Sequence, residues 1–372
     1  MPRVTRRTNR RVRMDFGHFS LMGYREKGFS TEDVFGEHVE QVKHADRLGF
    51  EIAWFAEHHF SNYCVCPSPL MMAAACASTT ENIRLGTAVI VTPLYHPSRL
   101  LAEIGMVDAL SSGRLVLGVG SGYQPYEFDR FGADLADARD MLEEFLDMLE
   151  LAFTRTTFTY EGKHYNLPET HISARPVNGI PEIWLAGDNE MGHRLAARRG
   201  LVPMFTARWN GADYIAEIRG RMEEAWKTEG KDPANMPLGI QRFLCVTDSK
   251  EEGLAYADCA RHQMRLASAL RRRAEVMDGG MMNEIPFPDE PLLEVIAGNM
   301  LIGDCETIAE KLAEEIRAGR PNHIMFHVQV GGSGQAQALN TMEKFATDIR
   351  PLLEKELGPL KDIGAQLPQA AE

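Results

Sequence analysis

The chain has 372 residues, 44% hydrophobic and 25% charged, the composition of an ordinary globular protein with room for one large α/β domain or two average ones. A formal net charge of −13 argues against nucleic acid and anionic membrane as main partners. The six cysteines (Cys64, Cys66, Cys76, Cys245, Cys259 and Cys305) include one C-x-C and no zinc spacing, so they read as free thiols of a reducing cytoplasm, with no metal site expected.

Residues 1–13 carry six arginines and no acidic residue. No apolar stretch of signal-peptide length follows, so they read as a disordered basic tail or as sequence ahead of a start at Met14. Asp15–Leu21 is expected to be a first strand. Val39, Val42, Ala45 and Leu48 recur at helical spacing, and Gly49 stops them. Glu51–Phe55 is an apolar run rich in β-formers and reads as a second strand. It puts Glu57, His58 and His59 at or just past its C-terminal end. In a parallel α/β sheet or barrel, chemistry is normally done at that edge. Neighbours on an extended chain point opposite ways, so one histidine is expected to face a pocket and the other to be structural.

Pro67-Ser68-Pro69 opens a helix. Ile83–Val91 is read as a third strand, ended by Thr92-Pro93, and a helix through Leu100, Leu101, Ile104 and Val107 follows. Leu115–Val119 is a fourth strand and runs into the glycine run 118–122. A helix carries Leu142, Phe145, Leu146, Leu149 and Phe153 on one stripe. Residues 156–168 read as a small inserted hairpin around Glu161-Gly162-Lys163. Ile180–Ala186, residues 200–205, Leu238–Val246 and His323–Val330 complete a set of eight strands. Residues 262–298, with Arg271-Arg272-Arg273, Gly279-Gly280 and three prolines, fit no strand and read as helical pieces and a mobile loop. A closing helix through Leu339, Met342, Phe345 and Ile349 is expected to stop at Pro351, with a loose tail over 359–372.

Eight strands alternating with helices predict a (β/α)8 TIM barrel over residues 14–358, with a small hairpin insertion and a long mobile loop after strand 7. A doubly wound sheet is the competing fold. The single rhythm without a linker favours the closed barrel.

Four stretches carry candidate chemistry. The run 118–122 is G-x-G-x-G, but Tyr123 stands where a dinucleotide motif needs glycine. It reads either as a tight turn or as a loop where backbone closely approaches a flat or anionic ligand. Arg139 shares the spacing of the inward stripe of its helix, where its partner would be an internal carboxylate or a phosphate. Ala186-Gly187-Asp188-Asn189 opens a helix whose free N–H groups attract phosphate, and Gly331–Gly334 makes the same offer.

Several segments in order then resemble one family: Met14–Phe19, Trp54–Phe60, Leu85–Val91 followed by Pro93 and His96-Pro97, Ser112–Gly120, and Phe128–Gly132. Together they resemble the bacterial luciferase-like, flavin-dependent monooxygenases, from about Met14 to Leu353. The resemblance implies an oxidoreductase on a (β/α)8 barrel that binds reduced FMN (FMNH2) and is supplied by a separate NAD(P)H:flavin reductase. O2 then gives a flavin C4a-peroxide that oxygenates a small organic substrate. It also implies a homodimer or related hetero-oligomer. His58 matches the family's proton-managing histidine, with His96 a weaker alternative. Ala88-Val89 matches a non-proline cis peptide under the flavin ring, Arg139 a phosphate-binding arginine, and Gly187–Asn189 the other side of the phosphate site. Gly120 stands where the luciferases have a reactive cysteine, Ser121 where they have a second phosphate-binding arginine, and Asp188 where they have a serine. Light emission is therefore not implied. Two other readings stay open: a deazaflavin-dependent oxidoreductase that transfers hydride, and a flavin-binding protein without catalysis.

Overall fold

The computed structural model describes residues 14–363. The basic segment 1–13 and the last part of the expected tail lie outside the described residues. Eight parallel strands close on themselves: β1 (Asp15–Ser20), β2 (Ile52–Phe55), β3 (Arg84–Thr87), β4 (Leu115–Gly120), β5 (Glu182–Ala186), β6 (Val202–Thr206), β7 (Gly239–Val246) and β8 (His323–His327). Each pairs with the next, and β8 pairs back to β1. This is the expected (β/α)8 barrel. Strands covered on both faces read as near-continuous apolar runs, and β2 and β7 are buried along their whole length.

The lower barrel is filled by Ile52, Trp54, Val116, Trp184, Val202, Met204 and Met325. Two glycines make room for the indoles. A Cβ on Gly86 would lie 2.4 Å from the Trp54 ring, and one on Gly239 2.3 Å from that of Trp184. The rings meet at 4.9 Å. Trp54 Nε1 donates to His323 Nε2 at 2.8 Å, and His323 Nδ1 bonds Asp15.

Outside the barrel, helix Thr31–Arg47 shows how the layer is built. Ser30 caps it by accepting from the Asp33 N–H, and Val34, His38, Gln41, Val42 and Ala45 face the strands. Strands Phe158–Glu161 and Asn166–Thr170 form the expected inserted hairpin.

The structure corrects five expectations. Ile83–Val91 is not one strand: it breaks at a cis Ala88–Val89 peptide into β3 and a short strand, Ile90–Val91, that also pairs with β4. Residues 262–271 continue the 22-residue helix Lys250–Arg271. The rest of 262–298 holds a two-residue hairpin at 277–282 and helix Leu293–Asn299. A further strand, Leu301–Gly303, pairs with the end of β7 and had no sequence signal, being three residues long. Pro351 does not end the last helix. A π turn at Phe345–Ile349 is followed by helix Arg350–Leu357, with the proline in its first turn, where no N–H is missed. Residues 359–363 are anchored: Leu360 is buried, and the Met14 N–H reaches the carbonyls of Leu360 and Ile363.

The excursion after β7 matters for the site. The chain leaves β7, runs through Lys250–Arg271 and the hairpin, and returns at Leu301–Gly303 before helix Cys305–Gly319. The inserted segment is held by ion pairs: Arg25–Glu284 at 2.9 Å, Arg265–Glu284 at 3.1 Å and Arg273–Asp129 at 2.5 Å.

Candidate active site

The C-terminal strand ends open into a cavity of about 420 Å³. Its wall follows the barrel: His58 after β2, Ala88 and Val89 after β3, Gly120 to Tyr123 at β4, Ala186 to Asn189 at β5, and Arg208 to Asn210 after β6. Gln241 and Phe243 of β7 and Met325 and His327 of β8 complete it. Gln263, Met264, Ala267, Ser268 and Arg271 of helix Lys250–Arg271 form the roof, with Phe287 beside them.

Of the two adjacent histidines, only His58 lines the cavity. Its Nδ1 is 3.1 Å from Glu127 Oε1, and Glu127 is buried. The same oxygen accepts the His59 backbone N–H at 2.7 Å. A carboxylate at Nδ1 favours the tautomer with its proton there, which leaves Nε2 as a base toward the cavity. Tyr63 and Tyr123 flank the His58 ring at 4.8 and 5.7 Å. Burial pushes both phenols up, so they stay protonated, with their hydroxyls 3.4 Å apart.

His59 turns the other way. Its Nε2 meets buried Glu57 at 3.0 Å, and its ring packs on Phe131. Glu57 also accepts from the Val91 N–H at 3.2 Å and the Tyr95 hydroxyl at 2.9 Å. Burial raises the Glu57 pKa against these bonds. His96 precedes helix Pro97–Leu110, pairs with Ser98 at 2.7 Å and does not line the cavity. Neither does Gly331–Gly334, whose first glycine packs near Cys259, His262 and Arg25.

The strand-end glycines have distinct tasks. A Cβ on Gly120 would stand 2.9 Å from Val89 Cγ2. Gly122 has φ +79° and would press Phe128 and Val91. Asn189 caps helix Glu190–Arg199 by accepting from the Gly192 N–H at 2.9 Å. Asp188 meets Arg208 at 3.6 Å.

Arg139 is a correction. It is exposed, outside the buried stripe, and does not line the cavity. It is the second residue of helix Ala138–Thr154, at the margin of the apolar face, with no preceding turn to cover it. Among the described residues it has no carboxylate within ion-pair distance. Ion pairs Arg198–Glu143 (3.3 Å) and Arg199–Asp147 (2.6 Å) set this helix beside Glu190–Arg199. Both helices start at the cavity end of the barrel, so Arg139 belongs to the same rim as Asn189.

Sequence reasoning missed Glu127, Tyr63, Arg208, Gln241 and His327; the roof lies inside the segment 262–298, which the resemblance places at the active site, but its first part is helix and not loop. Glu127 left one signal, an acid between Tyr126 and Phe128 just beyond the glycine run.

A profile of luciferase-like monooxygenases matches residues 14–321. The chain is 39% identical over 347 residues to the uncharacterized protein y4vJ of Sinorhizobium fredii, covering 93% of this chain and 99% of that one. It is 24% identical over 346 residues to the oxygenase component of the flavin-dependent trigonelline monooxygenase of Acinetobacter baylyi, covering 90% and 94%. The oxygenating constituent of 3,6-diketocamphane monooxygenase from Pseudomonas putida, solved with FMN, shares the fold with a TM-score of 0.76 at 22% identity, covering 91% and 98%. An F420-dependent secondary alcohol dehydrogenase shares it with a TM-score of 0.71 at 16% identity, covering 92% and 99%.

Proposed function

Since this chain belongs to the luciferase-like monooxygenase family, an oxidoreductase family, we propose that it is the oxygenase of a two-component system that uses reduced FMN and O2 to oxygenate a small organic substrate. The observation that carries the reading is His58, facing the cavity with its Nδ1 on buried Glu127 and the Ala88–Val89 ledge on the same wall.

The residues present fit the cofactor. A flat ring system can lie against Ala88 and Val89, where Gly120 withholds a side chain. Gly187 gives its own N–H to the Met204 carbonyl at 3.0 Å, so the phosphate would meet the backbone N–H groups at Asp188 and Asn189, Arg208 from inside and Arg139 from the rim. Asp188 opposes a phosphate by its charge, and its pairing with Arg208 offsets that. Ser121 and Tyr123 line the approach between ledge and rim. Reduced flavin supplies the activation of O2; the protein positions and excludes. His58 holds or takes a proton through Nε2, while Glu127 fixes its tautomer. The roof helix and Phe287 keep water from the reacting groups. With Tyr123 in place of the dinucleotide glycine, the reductant is expected to come from a separate NAD(P)H:flavin reductase.

Anaerobic titration with oxidised FMN, reduced FMN and a reduced deazaflavin, followed by mixing with O2, tests the reading. Reduced FMN should bind most tightly and consume O2 on mixing. Equal or weaker binding of reduced FMN, or steady NADPH oxidation without added reductase, counts against two components. Preferential binding of the deazaflavin selects the hydride-transfer enzyme instead.

A further inference from the structure

Residues 261–273, in and just beyond the roof helix, carry five arginines, and four of them are engaged. Arg261 pairs with Asp258, Arg265 with Glu284 at 3.1 Å and Arg273 with Asp129 at 2.5 Å. Arg272 Nε donates to the Ser268 carbonyl at 3.4 Å, and its guanidinium stands 5.8 Å from the centre of the Phe287 ring. The fifth, Arg271, has no carboxylate within ion-pair distance and no side-chain hydrogen bond among the described residues. Its guanidinium lies over the Tyr123 ring instead, 4.9 Å from the centroid. A ring offers it no oxygen acceptor.

Helix spacing aims this cation. Met264, Ala267, Ser268 and Arg271 recur on one face of helix Lys250–Arg271, and all four line the cavity. The roof is therefore apolar at Met264 and Ala267 and ends in a hydroxyl and a cation one turn apart. Two structural roles for Arg271 are already filled. A cation in a last turn serves the terminal carbonyls, and here Arg272 does so at Ser268. The inserted segment is fastened by Arg265 and Arg273.

The Tyr123 ring ties the cation to the reacting end. It contacts the Arg271 guanidinium and also meets the His58 ring edge-on at 5.7 Å. A group held by Arg271 is thus about one aromatic ring away from His58. The carboxylates nearby are taken: Glu127 by His58 and the His59 N–H, Asp129 by Arg273 and Asp188 by Arg208.

We propose that Arg271, with the Ser268 hydroxyl beside it, anchors a carboxylate of the substrate, which makes the substrate an organic acid with an apolar or aromatic body. This deepens the functional reading above and rests on it in calling the occupant the substrate. One uncompensated cation matches a monoanion, and the guanidinium fork matches the two oxygens of a carboxylate. A phosphate dianion would keep a charge without a partner, and a neutral amide would leave the cation unmatched. Met264, Ala267 and Phe287 supply apolar wall for the body.

The test measures benzoate, benzamide and phenylphosphonate on the full-length protein without flavin, by ligand-observed NMR. Benzoate should bind roughly tenfold more tightly than benzamide, the worth of a charge-assisted hydrogen bond. Arg271→Gln should abolish that preference, Arg271→Lys should retain it in part, and Ser268→Ala should weaken benzoate by a few fold. FMN and riboflavin affinities should stay unchanged in all three. The wild-type series and Ser268→Ala decide if Arg271→Gln fails to fold. Equal binding of benzoate and benzamide, or tighter binding of phenylphosphonate, overturns the proposal. So does a preference that persists in Arg271→Gln. A loss of FMN but not riboflavin affinity in that variant also overturns it, by giving Arg271 to the flavin phosphate. A preference that Arg271→Gln removes, in a protein that binds no reduced FMN, supports the anion site and removes the flavin reading instead.

Discussion

At the N-terminal end of the barrel, Trp54, Trp184, His323 and Asp15 form a closed set. Trp54 donates to His323, His323 bonds Asp15, and Trp184 donates to Glu182 at 2.7 Å. At the other end, aromatic residues and histidines again line the interior, but they surround an open cavity of about 420 Å³. The same side-chain types are packed on one another at one end and parted by an opening at the other. The difference teaches where stability and chemistry are separated in this fold: groups packed on one another hold the barrel, and groups that border an opening are available to a ligand.

The sharpest way to test this division is His58→Ala. It should keep the fold and most FMN affinity while lowering product formation by roughly 10²–10⁴-fold, the range for a lost general acid–base. O2 consumption should continue with H2O2 as the main product, measured alongside the oxygenated substrate. Coupling as good as wild type in His58→Ala, with a loss in His59→Ala, would exchange the two assignments.

Trp54→Ala is the counterpart at the closed end. Deleting a fully buried indole should cost about 3–5 kcal/mol of stability, read by urea denaturation, with FMN affinity of the folded protein retained. A comparable stability loss in His58→Ala would erase the contrast.

Acid should act on the histidines that burial keeps neutral. Burial lowers His38 from 6.5 to about 4. A depressed folded pKa gives stability that is fully present above the unfolded value. It is lost as pH falls from about 6.5 toward 4, where the unfolded chain binds protons that the folded one refuses. For His38 the full window is on the order of 3 kcal/mol. Urea midpoints between pH 7 and 4 should fall, and His38→Gln should flatten the slope. An unchanged slope would mean that His38 does not stay neutral in the fold.

The smallest expected effect belongs to the rim. Arg139→Ala should weaken FMN binding by roughly tenfold to a hundredfold, the worth of a charged hydrogen bond, and barely touch riboflavin. Equal losses for both flavins would make Arg139 a structural residue of its helix. No loss for either would leave the phosphate to Arg208.

Much of the barrel was legible because parallel strands, covered on both faces, leave uninterrupted apolar runs such as Ile52–Phe55. His58 was legible because it directly follows one of them. What was lost had weaker local marks. The break at Ala88–Val89 interrupts an apolar run without changing its composition, so periodicity reads one strand through it, and only the family resemblance marked the bond. Glu127 is on a short helix, Pro125–Phe131, and its partner His58 is distant in sequence. Arg139 had the right spacing, but a first-turn residue lacks the neighbouring turn that would bury it. The roof helix was cut short at 262 because Gln263, Ser268 and Arg271 line the cavity and do not pack in a core, and so break the apolar stripe that marks a helix.

The excursion that carries this roof begins and ends at one place. Thr247 donates its N–H to the Gly303 carbonyl at 2.8 Å, and Leu244–Val246 run beside Leu301–Gly303. Residues 248–300 therefore form a cassette with adjoining ends, joined to the barrel by a short stretch of sheet. Its exchange for another segment of similar span leaves the eight-strand ring uncut, so the ceiling over the Ala88–Val89 ledge can be re-engineered without cutting the barrel.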